Sequence, residues 1–209
     1  GATLHLVNNT MIATGSYDGM FAYFKDGGRL LFESTNEIVG EFYLYYPTGM
    51  HDSKIDLYNN PNVKRVYFLV TGDISDSEMN FIGSTVHNNF YISATNWVRS
   101  NITLQNFQHN SAAFDIRASA SIIDCDMTFL TSTFASTSAH TFAGKFTESN
   151  WKMDTCDFTA GAVTYDFEYI RSNSYTTTCS FAKLVTHSRK FTDSFYTLVD
   201  STISASVTY

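Results

Sequence analysis

The fold is decided by one repeated stretch, SNWKMDTCDF at residues 149–158, which returns as SNSYTTTCSF at residues 172–181. Five of the ten positions are identical at an offset of 23 residues. A fixed period of roughly 20 to 50 residues is the signature of a repeat architecture. Further copies are therefore expected along the chain.

The pattern extends both ways when the small residue at Cys156 is its anchor and an apolar residue follows two positions later. The intervals between successive anchors are 24, 23, 25, 31, 23 and 22 residues. Most anchors also have an apolar residue four positions later, which is the alternation of a half-buried strand. The anchors are Ser53, Ser77, Ser100, Cys125, Cys156, Cys179 and Ser201, and the fourth residues after them are Leu57, Phe81, Leu104, Phe129, Ala160, Lys183 and Ala205.

A second apolar segment precedes several anchors, at residues 66–70, 90–92, 114–116 and 167–170. The leucine-rich frame is absent and no helical half accompanies the strands, so the repeat predicts an all-β parallel solenoid. Each repeat is one coil, and equivalent residues stack about 4.8 Å apart. We expect a single domain, with residues 1–50 as the first coils or a cap and residues 51–209 as the main coils.

Composition agrees with this fold class and excludes several functions. Thr, Ser and Asn number 26, 23 and 15 of 209 residues, whereas charged residues supply only 16%. The net charge of −7 and the lack of a basic cluster argue against a nucleic-acid partner. No apolar stretch is long enough to span a membrane and no signal peptide is present, so no membrane insertion is expected.

The three cysteines are odd in number and contain no CxxC pair, which disfavours a disulfide framework or a zinc site. Buried free thiols are the favoured interpretation. A Cys156–Cys179 or Cys125–Cys156 disulfide is the alternative. The six histidines have no metal-ligand spacing, and no cofactor is predicted.

Ladders of inward Cys, Ser, Ile and Phe with outward Asn, Asp and Thr resemble the right-handed parallel β-helix of the pectate-lyase superfamily. Within it, the richness in Thr, Ser, Asn and aromatics is most similar to bacteriophage tail spikes and tail fibres. The resemblance covers roughly residues 50 to 205. It implies a virion tail location after assembly in the host cytoplasm, and bacterial surface polysaccharide as the partner.

Positions on either side of the anchors are expected to point outward, because side chains alternate along a strand. Acidic residues concentrate there, and glycoside hydrolysis needs two carboxyl groups. By the strand rise, Asp76/Glu78 and Asp124/Asp126 lie about 6.6 Å apart, near the inverting window, and Asp126/Asp157, one coil apart, near the retaining one. A solvated polar face explains the same stripe without a site. Ca²⁺ bound by Asp126 and Asp157 is a further alternative.

Glycan contacts are predicted at Arg99 and Asn101 within this stripe, and at Trp97 and Trp151, whose register also predicts outward side chains. An exposed indole offers a flat apolar face to a sugar ring, although burial in the core or an interface is the competing use. The 31-residue interval predicts a loop at residues 131–140 that overhangs the coils.

Three functions follow from these expectations. The leading one is a tail-spike or tail-fibre segment that recognises bacterial surface polysaccharide. The second is a polysaccharide depolymerase, a hydrolase or lyase, and the third is a purely structural shaft. The 33 aromatic residues exceed what one slim solenoid core readily holds, which favours side-by-side association and, with the resemblance, a homotrimer.

Overall fold

The computed structural model describes residues 49–61, 63–186 and 190–205, together with the backbone of six earlier strands. All of its assigned elements are β-strands, and no helix occurs in this described part. The strands are β1 (Thr3–Val7), β2 (Thr10–Ile12), β3 (Gly19–Ala22), β4 (Arg29–Glu33), β5 (Glu37–Val39), β6 (Glu41–Tyr46), β7 (Gly49–His51), β8 (Lys54–Tyr58), β9 (Arg65–Val70), β10 (Asp73–Ser75), β11 (Glu78–Ile82), β12 (Thr85–Val86), β13 (Phe90–Val98), β14 (Asn101–Gln105), β15 (Gln108–His109), β16 (Phe114–Ile123), β17 (Asp126–Leu130), β18 (Thr133–Phe134), β19 (His140–Thr147), β20 (Asn150–Asp154), β21 (Asp157–Ile170), β22 (Asn173–Thr177), β23 (Ser180–Thr186), β24 (Lys190–Thr192), β25 (Phe195–Val199) and β26 (Thr202–Ile203).

The chain forms a parallel β-solenoid of about six turns, as the repeat predicts. A nine-stranded sheet runs in the order β1-β4-β8-β11-β14-β17-β20-β22-β25, and the other strands form a fifteen-stranded sheet and the two-stranded sheet β2-β5. Within the nine-stranded sheet, Lys54 pairs with Glu78, Glu78 with Asn101 and Asp126 with Asn150, all in parallel register. Strands β1 and β4 stack on β8 in the same sheet, and the division at residue 50 stays a prediction.

The interior holds the inward ladders. Six of the seven anchors are buried, and so are Ile55, Met79, Ile102 and Met127 two positions after the first four. Sixteen aromatic side chains are also buried, among them Phe107, Phe114 and Phe134 in one edge-to-face cluster. The core therefore holds about half of the 33 aromatic residues, and the homotrimer stays a prediction.

Two columns of residues with left-handed backbone flank the nine-stranded sheet. The first corner column is Asp52, Asp76, Arg99, Asp124, Glu148, Arg171 and Asp193, and the second is Asn59, Gly83, Asn106, Thr131, Thr155, Thr178 and Asp200, with φ between 46° and 61°. Each turns the chain sharply, and the inter-coil ladder continues through it. For example, the Asp76 N–H donates to the carbonyl of Val98 on the next coil at 3.0 Å.

The anchor residues are small because they complete these corners. The Ser53 N–H donates to Ser77 Oγ at 3.1 Å, and that hydroxyl donates to the Ser75 carbonyl at 2.7 Å. Cysteine serves in the same way, since the Ser100 N–H donates to Cys125 Sγ at 3.3 Å. An inward Ser or Cys therefore satisfies a backbone donor that would otherwise be buried without a partner.

Some anchors of the sequence pattern follow the first corner column and others follow the second. The 31-residue interval between Cys125 and Cys156 results from that change of column and is not an insertion. Cys125 follows the first corner and is succeeded there by Ser149, whose Oγ accepts from the Cys125 N–H 24 residues earlier. Cys156 follows the second corner and stacks on Cys179, 23 residues on. The predicted overhanging loop at residues 131–140 is wrong, because Thr133 and Phe134 pair in register with their neighbours and His140 is buried.

Candidate functional site

A groove opens on the outer side of β16, β19 and β21, where the strands lose regular register. The pairing of β16 with β19 breaks between Arg117 and Ile122. The groove has a volume of about 320 Å³, and the small residues Ala118, Ser119, Ala120, Ala143 and Gly144 line part of it. Ala143 stands in an outward column between Arg117 and Asp166, so the missing side chain leaves a notch between two charged residues.

The charged rim of this groove is formed by Lys145, Asp166 and Glu168. Asp166 and Glu168 face outward from β21 because Phe167 between them points into the core and is 2% exposed. The Cα atoms of residues two apart on a strand lie about 6.6 Å apart by the strand rise, near the carboxyl separation of inverting glycosidases. Lys145 Nζ lies 3.8 Å from Glu168 Oε1. The rim thus combines acceptors and a donor suited to sugar hydroxyls.

Polar and aromatic side chains continue this surface toward the start of the solenoid. Tyr67 and Tyr91 stack with ring centroids 4.9 Å apart, and the next residue in their outward column is Asp115. Asp115 Oδ2 lies 3.0 Å from Arg117 Nη2. The strand face thus presents two tyrosines, an ion pair and the groove in succession along the axis.

Sequence reasoning missed the groove, although its acids left a signal. The alternation Asp166-Phe167-Glu168-Tyr169 puts both carboxylates on one face of a strand. The notch beside them could not be predicted, because the break in register of β16 has no distinctive residue pattern.

The predicted acids do not form one stripe. Asp76 and Asp124 lie in the first corner column, whereas Glu78 and Asp126 lie on strands of the nine-stranded sheet. The predicted Asp126/Asp157 stack is wrong: Asp126 pairs with Asn150, and Asp157 pairs with Thr133 and Ser180 on a different face. The spacing predicted for Asp76/Glu78 and Asp124/Asp126 assumes that both residues of a pair lie on one strand. That assumption is wrong, because Asp76 and Asp124 are corner residues outside the strands. Their catalytic roles stay predictions.

Asp76 and Asp126 have local partners. Arg99 donates to Asp76 through Nε at 2.6 Å and Nη2 at 2.7 Å, and this guanidinium lowers the pKa of the Asp76 carboxyl. Asn150 Nδ2 donates to Asp126 Oδ1 at 2.8 Å, while the Asp126 N–H donates to Asn101 Oδ1 at 3.0 Å. The predicted glycan ligands Arg99 and Asn101 are exposed, and both already bind neighbouring acids or their backbone.

Glu78 belongs to a polar cluster at the start of the described coils. Its carboxylate lies 3.0 Å from Lys54 Nζ and accepts from Asn80 Nδ2 at 2.8 Å. The same Asn80 amide donates to Asp56 Oδ1 at 2.7 Å, and Asp56 is fully buried although its register predicts an outward side chain. Glu78 is therefore held in place by a cation and an amide.

The outward orientation predicted for Trp97 and Trp151 is wrong, because both indoles are buried at 0% and 1% exposure. The prediction assumed that side chains alternate without interruption between each tryptophan and its anchor. A corner residue breaks that alternation, Arg99 between Trp97 and Ser100 and Thr155 between Trp151 and Cys156. Both rings pack in the core, where Trp151 contacts Phe129 with centroids 4.7 Å apart. Neither ring is exposed to solvent.

All three cysteines are free and buried, so neither alternative disulfide is present. Burial raises the pKa of the Cys125 thiol to about 11. Among the described side chains, no group of three or more His, Cys, Asp or Glu residues has the arrangement of a metal site. That part of the chain also has no helix of the length and apolarity needed to cross a membrane.

Comparison with known proteins adds no relative: no family model, no curated protein and no solved structure matches this chain. The class that the fold defines is the parallel β-solenoid.

Proposed function

We propose that this chain is a tail-spike-like segment that binds bacterial surface polysaccharide along the outer surface of β9, β13, β16, β19 and β21. The observation that carries the proposal is the groove, which small and charged residues of three neighbouring strands line. Sites on a rigid scaffold need little reordering on binding, which favours affinity. The Tyr67–Tyr91 stack adds apolar ring surface next to polar groups, a combination suited to sugars.

The test is binding of the purified chain to a panel of bacterial capsular and O-antigen polysaccharides, followed by variants on the best ligand. Ala143→Trp fills the notch and is expected to weaken binding at least tenfold. Ser180→Trp is the matched control, because Ser180 is a small exposed residue on another face. Equal binding by both variants would place the site elsewhere. No binding to any polysaccharide would favour the structural shaft.

A second candidate function is depolymerisation, favoured by the spacing of Asp166 and Glu168 in the groove. If these carboxylates act as acid and base, Glu168→Gln loses turnover and keeps binding, while Asp126→Asn keeps both. Reducing ends released over time measure turnover. A new absorbance of unsaturated uronates would indicate a lyase, and its absence a hydrolase. Binding without any release would leave recognition alone.

A further inference from the structure

The groove is bounded by carbon where its smallest residues lie. Ala118, Ala143 and Gly144 line it together, and Ala118 is 7% exposed. A Cβ on Gly144 would lie 2.7 Å from Ile122 Cδ1 and 3.5 Å from Ala118 Cβ, so the neighbours of this glycine are apolar. A hydroxyl held here would lose hydrogen bonds to water, whereas a methyl group would gain contact. This part of the groove therefore suits a small apolar group.

The charged side chains of the groove supply one donor and two acceptors. Lys145 carries an ammonium, which only donates, and Asp166 and Glu168 carry carboxylates, which only accept when ionised. Lys145 is 44% exposed and its ammonium has three N–H donors, so donors remain beside the contact with Glu168. Asp166 already has a protein partner, but a carboxylate has about four acceptor positions and can accept from a ligand as well.

The strand register places the donor and one acceptor on either side of the small residues. Asp166 pairs with Ala143, and Glu168 pairs with Lys145. Parallel strands lie about 4.8 Å apart and residues two apart on a strand about 6.6 Å, so the Cα atoms of Asp166 and Lys145 are about 8 Å apart. A small group lying over Ala143 and Gly144 can therefore contact a carboxylate at one end and an ammonium at the other.

An acetamido group matches this arrangement in each of its parts. Its N–H is a donor for Asp166, its carbonyl oxygen is an acceptor for Lys145, and its methyl group is apolar. A sugar hydroxyl in the same place lacks the methyl group, and a free amine lacks both the methyl group and the acceptor. The three charged side chains sum to 1 − 2 = −1, which disfavours a sugar carboxylate or phosphate at this position.

We propose that the groove binds the acetamido group of an N-acetylated amino sugar, and that the polysaccharide bound by this chain contains such a sugar. The inference rests on the proposed function, because it names the sugar class that the same groove takes. A site built to hydrogen-bond an N–H rejects an analogue that lacks it, so the acetamido contact would set specificity.

Saturation-transfer NMR and competition titrations with the whole chain test the inference. The probes are the methyl glycosides of N-acetylglucosamine, N-acetylgalactosamine and N-acetylmannosamine, each compared with the sugar that has a hydroxyl or a free amine in place of the acetamido group. The best N-acetylated probe is expected to bind at least about tenfold more tightly than its two counterparts. Its acetyl methyl protons are expected to receive the strongest saturation.

Two matched variants locate the contact. Ala143→Val fills the space for the acetyl methyl group and is expected to abolish the preference for the N-acetylated probe. Ala135→Val is the control, because Ala135 is an exposed alanine outside the groove and should keep the preference. Circular dichroism of both variants verifies that the fold is kept.

The failure of this inference differs from the failure of the proposed function. Equal binding of the N-acetylated and hydroxyl probes, tighter binding of the free amine, or a preference that survives in Ala143→Val would each overturn the inference. The same holds if no N-acetylated probe binds while a polysaccharide does. Polysaccharide binding that Ala143→Trp leaves unchanged, or no polysaccharide binding at all, would overturn both.

Discussion

Arg99 donates two parallel hydrogen bonds, 2.6 Å and 2.7 Å long, to the carboxylate of Asp76. The two residues occupy the same corner on adjacent coils. Both residues have left-handed backbone, and both belong to the first corner column. Arg171 and Glu148 repeat the relationship, with Nη2 2.7 Å from Oε1. Carboxylates stacked one coil apart would repel each other, and an interposed guanidinium offsets that repulsion.

Removing the guanidinium should change the titration of its partner. In Arg99→Ala we expect the pKa of Asp76 to rise toward its ordinary value of 3.8, because the hydrogen bonds and charge that lower it are gone. NMR titration of the Asp76 carboxyl measures this change. Arg171→Ala is the control and should leave Asp76 unchanged. An unchanged Asp76 pKa in Arg99→Ala would show that another group sets it.

The second corner column predicts opposite effects for two opposite substitutions. Thr178 is β-branched and has φ of 52°, so Thr178→Gly should raise the free energy of unfolding by roughly 1 kcal/mol. Gly83→Thr should lower it, because a Cβ there would lie 2.3 Å from Asn59 Oδ1 as well as at a φ of 61°. Urea denaturation measures both. The idea fails if Thr178→Gly is destabilising.

The anchor hydroxyls should matter for stability. Ser149 Oγ accepts from the Cys125 N–H at 3.0 Å and donates to the Thr147 carbonyl at 2.9 Å. Ser149→Ala leaves the amide buried without a partner and should cost about 1–3 kcal/mol. Ser149→Cys should cost less, because cysteine performs this role at position 125. Equal losses for Ala and Cys would mean that packing alone sets the cost.

Acid should destabilise the fold through two buried histidines. His109 and His140 face each other with ring centroids 6.0 Å apart, and burial lowers the pKa of each to about 4. Their ordinary pKa is 6.5, so the unfolded chain binds more protons between these values, and stability falls as the pH drops from 6.5 to 4. Each imidazole should account for about 3 kcal/mol of that loss.

The His109→Leu/His140→Leu double variant should lose most of this pH dependence in chemical denaturation. His87→Gln is the control, since His87 is exposed and should keep the wild-type slope. A double variant with the same slope as the wild type would assign the acid sensitivity to carboxylates instead.

The two tryptophans offer a direct test of burial. Because Trp97 and Trp151 are in the core, their emission should be blue-shifted, and acrylamide should quench it weakly until the chain unfolds. Trp151→Ala should cost about 3–5 kcal/mol through the cavity it leaves. Strong quenching in the folded protein would contradict the placement of these rings.

The inward ladders could be predicted from the sequence, because alternation along five-residue strands is a strong signal and the repeat supplies several copies of it. The buried series Ile55, Met79, Ile102 and Met127 follows the prediction residue by residue. The parallel stacking follows as well, since successive copies of one strand can lie side by side only in the same direction.

The corners could not be predicted, because the residues that adopt left-handed backbone there share no chemistry. Arg99, Glu148 and Thr155 occupy the same kind of position as Asp76 and Gly83. Ser or Cys follows every residue of the first corner column and five of the seven residues of the second, so the sequence pattern does not distinguish the two columns. The spacings predicted for Asp76/Glu78 and Asp124/Asp126 fail for this reason, because a corner residue resets the alternation of faces.

The corner hydrogen bonds join each coil only to its immediate neighbours. The free energy of unfolding is therefore approximately a sum of contributions from single coils and from neighbouring pairs of coils. The cost of a defect is then confined to the coils that touch it, and total stability grows with each coil added. Because β16, β19 and β21 each have a paired strand on both sides, a defect in a coil that does not touch them leaves the groove unchanged.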